Sequence, residues 1–480
     1  MSTSDWNFEA TYLELRELFY NRGPVHPVAS PQLVLLNEPL ADTLGLNRLT
    51  LRDDVALLAG NEQTSTSFSQ AYAGHQFGHF TMLGDGRALM LGEYVAPNGK
   101  RFDVQLKGSG PTAYSRGGDG RAAVGPMVRE FLISEAMHAL GIPTNRALAV
   151  VTTGEPIMRQ GPKHGAVLTR VASSHIRVGT FQYAAAAGSI DDVVALADYA
   201  IQRHDPDLKG LPDRYEQFLG RVITRQAKLI ANWQLIGFIH GVMNTDNTFI
   251  SGEGLDYGPC AFMDTYHPNT VFSSIDREGR YAYANQPYIG SWNLARLAET
   301  LLPLLADTHE AAVDIANKLL NDYTETYKDA YFTGLAHKIG LYVRKDEDDT
   351  LTDELLRLMM ETEADFTNTF RALTLGDTDA LAFANRDDGK AWLAAWRKRL
   401  NEQGLPDEDV IRLMRQHNPA VIPRNHHVEA AITAAERGDF EPTHALLDVL
   451  RNPYDYEADY GRYVSPGPPR TYPYQTFCGT

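Results

Sequence analysis

The spacing of hydrophobic and polar positions changes along this chain. From about residue 80 the spacing is that of β-strands, and from about residue 190 it is mostly helical. Phe102, Val104 and Leu106, for example, alternate with polar residues, as on a strand whose two faces have different surroundings. The pattern therefore predicts a β-rich part followed by a helical part.

Turn residues and helix ends locate individual elements. An Asn-Gly pair at 98–99 separates the runs 88–95 and 101–107 and predicts a β-hairpin. A helix is expected to begin at Pro126, a residue suited to the first helical turn, and to end at Gly141. Further strands are predicted at 147–152, 157–159, 167–171 and 248–250, and helices at 215–237 and over most of 292–450.

This order of elements is that of a protein kinase, in which a β-rich lobe with one helix precedes a helical lobe. We therefore predict an α+β protein with a protein-kinase-like bilobal fold, an N-terminal extension and an additional C-terminal helical region. The predicted division is an N-terminal extension at 1–80, a β-rich N-lobe at 81–160, a C-lobe core with the catalytic loop at 161–300, the C-terminal helical region at 301–450 and an irregular tail at 451–480.

The composition narrows the class of protein. The chain has 480 residues, of which 43% are hydrophobic and 22% charged, as is ordinary for a soluble globular protein. Its formal net charge of −17 argues against nucleic acid as a constant partner, because phosphate binding requires a basic face. The presence of only two cysteines favours a reducing compartment. The N-terminus is unlike a signal peptide, and no apolar run approaches the length of a membrane span. We expect a cytoplasmic monomer that binds neither nucleic acid nor membranes.

The segment from His240 to Asn247 has the spacing of a kinase catalytic loop, which contains His-x-Asp and then, after four residues, Asn. Val242 stands where kinases have the Asp that accepts the hydroxyl proton. Because valine cannot accept a proton, the protein is either inactive or uses another group. The Asp-Tyr-Gly tripeptide at 256–258 resembles Asp-Phe-Gly, so Asn247 and Asp256 are candidate ligands for Mg²⁺, which prefers oxygen donors.

The β-rich part contains residues that could hold the phosphates of a nucleotide. The turn with Gly84, Gly86 and Arg87 would let backbone N–H groups approach phosphate oxygens, and it would equally suit an ordinary β-turn. Lys107 at a strand end and Glu130 in the next helix match the pair that fixes a lysine on the phosphates in kinases. Either residue alone could also be a surface residue.

The chain contains a second set of charged residues, including arginines that an ordinary kinase does not need. Its arginines are either solvated surface residues or phosphate ligands, since arginine binds phosphate with a planar fork of donors. The set consists of Asp119, Arg121, Arg170 and Arg177.

The chain resembles the selenoprotein O family through several long motifs that occur in the family's order. Members of this family are protein adenylyltransferases with a pseudokinase-like fold. The resemblance covers nearly the whole chain. It rests on the segments 72–78 (Tyr-Ala-Gly-His-Gln-Phe-Gly), 105–110 (Gln-Leu-Lys-Gly-Ser-Gly), 129–130 (Arg-Glu), 240–247, 256–259, 418–419, 422–425 and 478–480.

The resemblance implies that ATP binds in the orientation opposite to that in kinases. A Ser, Thr or Tyr hydroxyl of a target protein would attack the α-phosphorus, leaving AMP on the protein and releasing pyrophosphate. It implies Mg²⁺, or alternatively Mn²⁺, on Asn247 and Asp256, Asp246 as the proton acceptor, and Glu130 as the partner of a catalytic Lys107. Nucleotide contacts are implied at Gly84, Gly86, Arg87, Lys107, Asp119, Gly120, Arg170, Arg177 and Asp256.

The residues are compatible with this chemistry. A departing pyrophosphate develops more negative charge than a single transferred phosphoryl group, which gives Arg170 and Arg177 a role. With ATP reversed, a base at position 242 would be misplaced, and Asp246 could act instead. A phosphotransferase that uses Asp246 and an inactive ATP-binding scaffold are the alternatives, and ATP labelled separately at the α and γ phosphorus distinguishes all three.

Members of the family are linked to redox control through a C-terminal cysteine. For this chain the resemblance raises a disulfide between Cys260 and Cys478. The alternative is a buried Cys260 and a free Cys478.

Overall fold

The computed structural model describes residues 6–468 and 474–477, and they form the mixed helix and sheet (α+β) structure that was predicted. Its strands are β1 (Phe8–Glu9), β2 (Tyr20–Asn21), β3 (Gln32–Leu36), β4 (Ser69–Gln70), β5 (Ala73–Gln76), β6 (His79–Met82), β7 (Ala88–Val95), β8 (Arg101–Lys107), β9 (Ala122–Ala123), β10 (Arg146–Met158), β11 (Pro162–Ala172), β12 (Phe238–Ile239) and β13 (Ala261–Phe262). Its helices are α1 (Glu38–Leu44), α2 (Arg48–Asp53), α3 (Val55–Leu58), α4 (Val124–Ala139), α5 (Val178–Ala187), α6 (Ile190–His204), α7 (Arg214–Leu235), α8 (Gln286–Leu305), α9 (His309–Lys338), α10 (Asp346–Glu361), α11 (Phe366–Leu375), α12 (Asp387–Asn401), α13 (Asp407–His417), α14 (Asn425–Ala435) and α15 (Glu441–Leu450). Within the described ranges, no helix is both long enough and apolar enough to cross a membrane.

One antiparallel sheet dominates the first part of the chain. Its strands lie in the order β1-β7-β8-β11-β10-β3, and β9 pairs with β11 beside this path. The predicted hairpin at 98–99 is confirmed, because β7 and β8 pair directly with Val95 opposite Arg101. The N-terminal segment supplies both ends of the sheet, since β1 and β3 are its outer strands.

The register of β8 against β11 positions charged side chains beneath α4. Lys107 lies opposite Leu168, and Gln105 lies opposite Arg170. Residues that face each other across an antiparallel pair point to the same side of the sheet, and so do residues two apart on one strand. Lys107, Gln105 and Arg170 therefore share one face. Helix α4 packs on this face, against β10 and β11.

Three predicted elements begin or end at different residues in the structure. The two short strands predicted at 147–152 and 157–159 are one strand, β10, whose pairing with β11 shifts register between Thr152 and Pro156. A bulge of this kind lets a strand continue past residues that break its regular ladder. Helix α4 begins at Val124, two residues before Pro126, because its first N–H groups need no intrahelical partner. It ends at Ala139, and Gly141, two residues further on, has a φ of 76° that allows the chain to leave the helix.

The strand predicted at 248–250 is wrong. Phe249 makes only an isolated bridge with Arg177, and the strand pair that frames the catalytic-loop segment is β12 with β13. The run of apolar residues reflects burial there, since Phe249 and Ile250 are fully buried. The long helix predicted at 215–237 is confirmed as α7.

Helices α8 to α15 make up most of the remaining described chain, as predicted for 292–450. Within residues 451–468 the structure has a 3₁₀ turn at Gly461–Val464 and no other helix or strand. Thr476 returns to the body of the protein, where it forms a bridge with Ser273 and donates a hydrogen bond from Oγ1 to the Pro259 carbonyl at 2.6 Å. Cys478 lies outside the described residues.

Candidate active site

A cavity of about 630 Å³ opens between the main sheet, helix α4 and the loops that follow α7. Ligand sites in proteins are commonly of roughly 300–1,000 Å³. Every residue predicted for the site lines this cavity: Gly84, Gly86, Arg87, Lys107, Asp119, Gly120, Glu130, Arg170, Arg177, Asp246, Asn247 and Asp256. Of the second charged set, Arg121 lines it too.

Four charged residues form a closed ion network at the inner wall of the cavity. The Lys107 ammonium nitrogen lies 2.8 Å from Oε2 of Glu130 and also contacts the carboxylate of Asp256. Arg170 contacts the same two carboxylates, through Nε to Glu130 and through Nη2 to Oδ1 of Asp256 at 2.9 Å. Each acid is therefore held by both cations, and the network is neutral as a whole.

The pKa values in this network follow from burial and mutual attraction. Burial lowers the pKa of Lys107, and the charge of Arg170 adds to that effect. Burial alone would raise the pKa of Glu130, but the charges of Arg170 and Lys107 hold it below its ordinary value. The pKa of Asp256 lies well below its ordinary value, because the attraction of Lys107, Arg170 and Arg87 outweighs the effect of burial. Both acids are charged at neutral pH.

The glycines of the turn 84–87 are required by packing against another loop. A Cβ atom on Gly84 would collide with the Tyr114 ring, and Gly84 has a φ of 126°. A Cβ on Gly86 would lie 2.9 Å from the Tyr114 carbonyl oxygen. Thr112 donates a hydrogen bond to the Asp85 carbonyl at 2.6 Å. The turn is thus stacked beneath the loop around Tyr114, and this glycine requirement was not part of the sequence prediction.

Arg177 is held in place by an aromatic ring and polar groups. Its guanidinium carbon lies 4.1 Å from the centre of the Tyr72 ring, a cation–π arrangement. Nη1 donates to Oε1 of Gln70 at 3.4 Å, and Nη2 lies 3.5 Å from Oδ1 of Asp85. Tyr72 and Asp85 also line the cavity. Sequence reasoning did not identify either residue as part of the site, because neither is spaced in a regular pattern with Arg177.

Asp119, which is exposed, and Gly120, which is buried, are neighbours in the cavity lining. Both carboxylate oxygens of Asp119 accept from Arg159, at 2.8 and 2.9 Å, and these bonds lower the pKa of Asp119. Gly120 has a φ of 64°, and a Cβ there would collide with the Gly110 backbone. Arg159, at the end of a strand, is a cavity residue that the sequence did not reveal.

The segment from His240 to Asn247 is held in place by hydrogen bonds to several other parts of the chain. The His240 ring lies 2.7 Å from the Leu255 carbonyl through Nε2. Oδ1 of Asn244 accepts from the Tyr281 hydroxyl at 2.6 Å and from the Phe77 N–H at 3.1 Å. Val242 is buried and lines the cavity, as expected of a residue at the position of the kinase base.

Asp246 is a buried acid with few partners. Its Oδ2 accepts from Nε2 of Gln76 at 3.4 Å, and among the described residues its Oδ1 has no hydrogen-bond partner. Burial raises the pKa of Asp246 to about 6. Asp246 and Asn247 are adjacent in a 3₁₀ turn at Thr245–Asn247, which is the irregular loop needed for both side chains to face one cavity.

The donor set suits a hard divalent cation that also binds phosphate oxygens. Asn247 donates from Nδ2 to the Val242 carbonyl at 3.1 Å, which leaves its Oδ1 for another partner. Asp256 supplies a carboxylate that is charged at neutral pH. Mg²⁺ typically takes only one or two protein ligands when phosphates provide the others. In the described ranges no group of three or more His, Cys, Asp or Glu residues is suited to hold a metal ion.

Cys260 lies behind the site. It is fully buried, and burial raises the pKa of its thiol to about 12. The thiol donates to the Tyr257 carbonyl at 3.5 Å. Since Cys478 lies outside the described residues, their disulfide stays a prediction.

Comparison with known proteins shows what the chain as a whole is similar to. Relatives cover the chain from end to end: a protein nucleotidyltransferase YdiU from an Exiguobacterium strain is 80% identical over 478 residues, covering 100% of each chain. Proteins of the same name from Geobacillus kaustophilus and Bacillus cereus are 55% and 54% identical over 480 residues, covering 99% of this chain and 99% and 98% of their own. This chain is therefore a nucleotidyltransferase enzyme. A family model described as protein adenylyltransferase SelO matches residues 2–451, and the chain belongs to that family.

Proposed function

We propose that this enzyme transfers AMP from ATP to the hydroxyl groups of Ser, Thr or Tyr side chains in target proteins, with ATP bound in the orientation opposite to that in kinases. Membership in a family of protein adenylyltransferases supports ATP as the substrate and proteins as the acceptors. The observation that carries the proposal is the ion network, in which Arg170 joins the Lys107–Glu130 pair at the inner wall.

The arrangement of elements supports a kinase-like bilobal fold. The main sheet and α4 contribute Lys107 and Glu130 from one side of the cavity. The loop after α7 contributes Asp246 and Asn247 from the other side. Asp256, on the second side, reaches across to Lys107, as the metal-binding Asp does in kinases.

The reaction needs one bond to form and one to break. The acceptor hydroxyl oxygen attacks the α-phosphorus, the bond between that phosphorus and the oxygen bridging to the β-phosphorus breaks, and pyrophosphate leaves with the electron pair. The hydroxyl proton passes to Asp246, whose pKa of about 6 lets it be ionised and still accept a proton at neutral pH. The cavity lining carries seven Lys or Arg residues against five Asp or Glu, an excess of positive charge that favours an anionic nucleotide.

The positions of the proton acceptor and of the cations support the reversed orientation. Val242 offers no proton acceptor at the kinase position, whereas Asp246 is buried in the same wall with an unpaired oxygen. Lys107, Arg170 and Arg177 are buried cations that can stabilise the β- and γ-phosphates as charge develops on the leaving group. Fixed donors of this kind need no rearrangement during the reaction.

Asn247 and Asp256 would hold Mg²⁺, or alternatively Mn²⁺, between the protein and the phosphates. When bound, the cation supplies charge neutralisation and polarisation of the phosphate oxygens. The contribution of the chain is to fix both oxygen donors, Asn247 through its bond to Val242 and Asp256 through Lys107 and Arg170.

Transfer from ATP labelled separately at the α and γ phosphorus tests the proposal. Label from the α position on protein, with release of pyrophosphate, is expected. Label from γ would instead indicate a phosphotransferase, and binding of ATP without any transfer would indicate an inactive scaffold. The Asp246→Asn variant, which keeps the shape of the side chain, should lose α transfer by about two orders of magnitude or more, the scale of general-base catalysis, while still binding ATP.

A further inference from the structure

A β-hairpin next to Asp246 extends the wall of the cavity onto the outer surface. The hairpin consists of β5 and β6, and its turn residues Phe77 and Gly78 both have positive φ, 51° and 87°. Gln76 and Phe77 line the cavity, and Nε2 of Gln76 is 3.4 Å from the Asp246 carboxylate. The surface beyond this turn is therefore continuous with the place where an acceptor hydroxyl would enter.

Two arginines enclose a tryptophan behind the hairpin. The guanidinium carbons of Arg280 and Arg296 each lie 4.9 Å from the centre of the Trp292 ring. The ring of His75, on β5, lies 5.1 Å from the same ring in an edge-on arrangement. Stacking on an aromatic ring holds a guanidinium in place without neutralising its charge.

The two arginines differ in their ionic partners. Arg296 forms a salt bridge of 2.6 Å with Glu299. Arg280 forms no salt bridge within the described ranges, and its other ring contact is with Tyr281 at 5.8 Å. It lies beside the hairpin turn, since a Cβ on Gly78 would be 3.5 Å from its guanidinium carbon. Arg280 is thus a fixed cation near the mouth of the cavity whose guanidinium has no salt bridge among the described residues, while its backbone N–H donates to Asp276 at 2.9 Å.

Exposed apolar side chains lie on the hairpin and in the segment that precedes Arg280. Phe80 and Met82, two residues apart and so on one face of β6, are 46% and 43% exposed. Ile275, which also lines the cavity, is 55% exposed. Exposed apolar groups that are clustered rather than scattered mark interaction sites.

We propose that Phe80, Met82, Ile275, Arg280 and Trp292 form an acceptor surface that binds the segment of the target protein on either side of the modified hydroxyl. The proposal rests on the proposed function. The surface selects a segment with an acidic side chain that pairs with Arg280 and a large apolar side chain that packs on Phe80, Met82 and Ile275. Charge complementarity supports this occupant, because the guanidinium of Arg280 has no salt-bridge partner in the described part of the chain, and so does continuity with the cavity next to Asp246.

A peptide library with one fixed Ser, Thr or Tyr and randomised neighbours tests the acceptor surface, with ATP labelled at the α phosphorus. We expect the labelled peptides to be enriched in Asp or Glu and in large apolar residues. In Arg280→Gln the kcat/KM for a selected acidic peptide should fall about tenfold, equivalent to about 1.4 kcal/mol, and the preference for acids should disappear. Arg280→Lys, which keeps the charge, should retain part of that preference.

Two further variants separate the contributions. Phe80→Ser should lose the preference for an apolar neighbour and keep the preference for an acid, which gives a readout independent of Arg280. Arg437→Gln is the matched charge control, since Arg437 is exposed and outside the cavity lining, and it should leave both preferences unchanged. The Kd for ATP and the melting temperature of each variant report whether the cavity and fold are intact.

Several outcomes would overturn the acceptor surface. They are equal labelling of acidic and basic peptides, an acid preference that survives in Arg280→Gln, and labelling of whole proteins but of no peptide. A dimer that Phe80→Ser converts to a monomer with unchanged peptide preferences would assign the surface to a second copy of the chain. By contrast, ATP binding with no α label on any protein would refute the proposed function itself.

Discussion

The carboxylate of Glu130 lies 2.8 Å from the ammonium group of Lys107, although the two residues belong to a helix and a strand that are separated by a long loop. Both side chains are buried, with Glu130 1% and Lys107 5% exposed. Burying either charge alone would be unfavourable by several kcal/mol. Each residue therefore depends on the other, and the pair fixes the position of α4 against the sheet.

Glu130→Gln should lower kcat/KM for AMP transfer by about 100-fold, which corresponds to about 3 kcal/mol of transition-state stabilisation. The neutral amide keeps the size of the side chain but leaves Lys107 and Arg170 with Asp256 as their only acid in the network. Steady-state transfer from α-labelled ATP measures the change.

Glu135→Gln is the control for this variant. Glu135 lies on the same helix and pairs with Arg146 at 2.6 Å, but it does not line the active-site cavity. It should lower the melting temperature and leave transfer nearly unchanged. Equal activity losses in both variants would show that Glu130 acts only through the stability of α4.

The residues that could be predicted from the sequence are those tied to a regular element or a spaced motif. Alternation along β8 places Lys107 on the face that it shares with Gln105, and the pairing of β8 with β11 places Arg170 on the same face. That pairing is long-range, so the sequence suggested phosphate binding for Arg170 but could not place it in contact with Glu130.

The residues that were missed lie on irregular backbone or at the end of a short strand. Tyr72 stacks on Arg177, and Gln76 donates to Asp246, through contacts between segments more than a hundred residues apart. The hydrophobic positions around them repeat at neither two nor 3.6 residues. The sequence pattern therefore does not show to which side of a strand or helix they point. The strand wrongly predicted at 248–250 has the same origin, since a short apolar run reports burial without distinguishing a strand from a buried loop.

Asp256→Asn should abolish metal-dependent transfer while preserving the fold. Asp256 has a φ of 64°, a conformation that asparagine tolerates well and alanine does not. Asp256→Ala should therefore also lose stability, on the order of 1 kcal/mol from backbone strain. Titration of transfer against Mg²⁺ and thermal melting measure the two effects. Full transfer by Asp256→Asn would exclude the carboxylate as a metal ligand.

Val242→Asp should not convert the enzyme into a kinase. The new carboxylate would stand at the kinase base position, but a reversed ATP presents its α-phosphorus to the acceptor, so transfer from the γ phosphorus stays at background. Val242→Asn controls for the packing change, because Val242 is buried and its backbone carbonyl accepts from Asn247. Robust γ transfer by Val242→Asp alone would contradict the reversed orientation.

Lys338→Met should stabilise the protein at neutral and acidic pH. Lys338, at the end of α9, is 2% exposed, and its ammonium group lies 4.2 Å from the centre of the Phe370 ring and 3.4 Å from the His417 carbonyl. Burial lowers its pKa to about 7. The unfolded chain binds this proton up to a higher pH than the folded chain does, so the lysine lowers stability fully below pH 7 and progressively less as the pH rises towards its unfolded value.

The gain from Lys338→Met should therefore be on the order of 4 kcal/mol at pH 6 and should shrink steadily between pH 7 and pH 10. Melting temperatures of the variant and the parent protein at pH 6, 8 and 9.5 measure this trend. Lys398→Met is the matched control, because Lys398 is 79% exposed on α12, and its effect should be small at every pH. A gain from Lys338→Met that does not change with pH would show that folding does not lower the pKa of Lys338, and that the gain comes from apolar packing against Phe370.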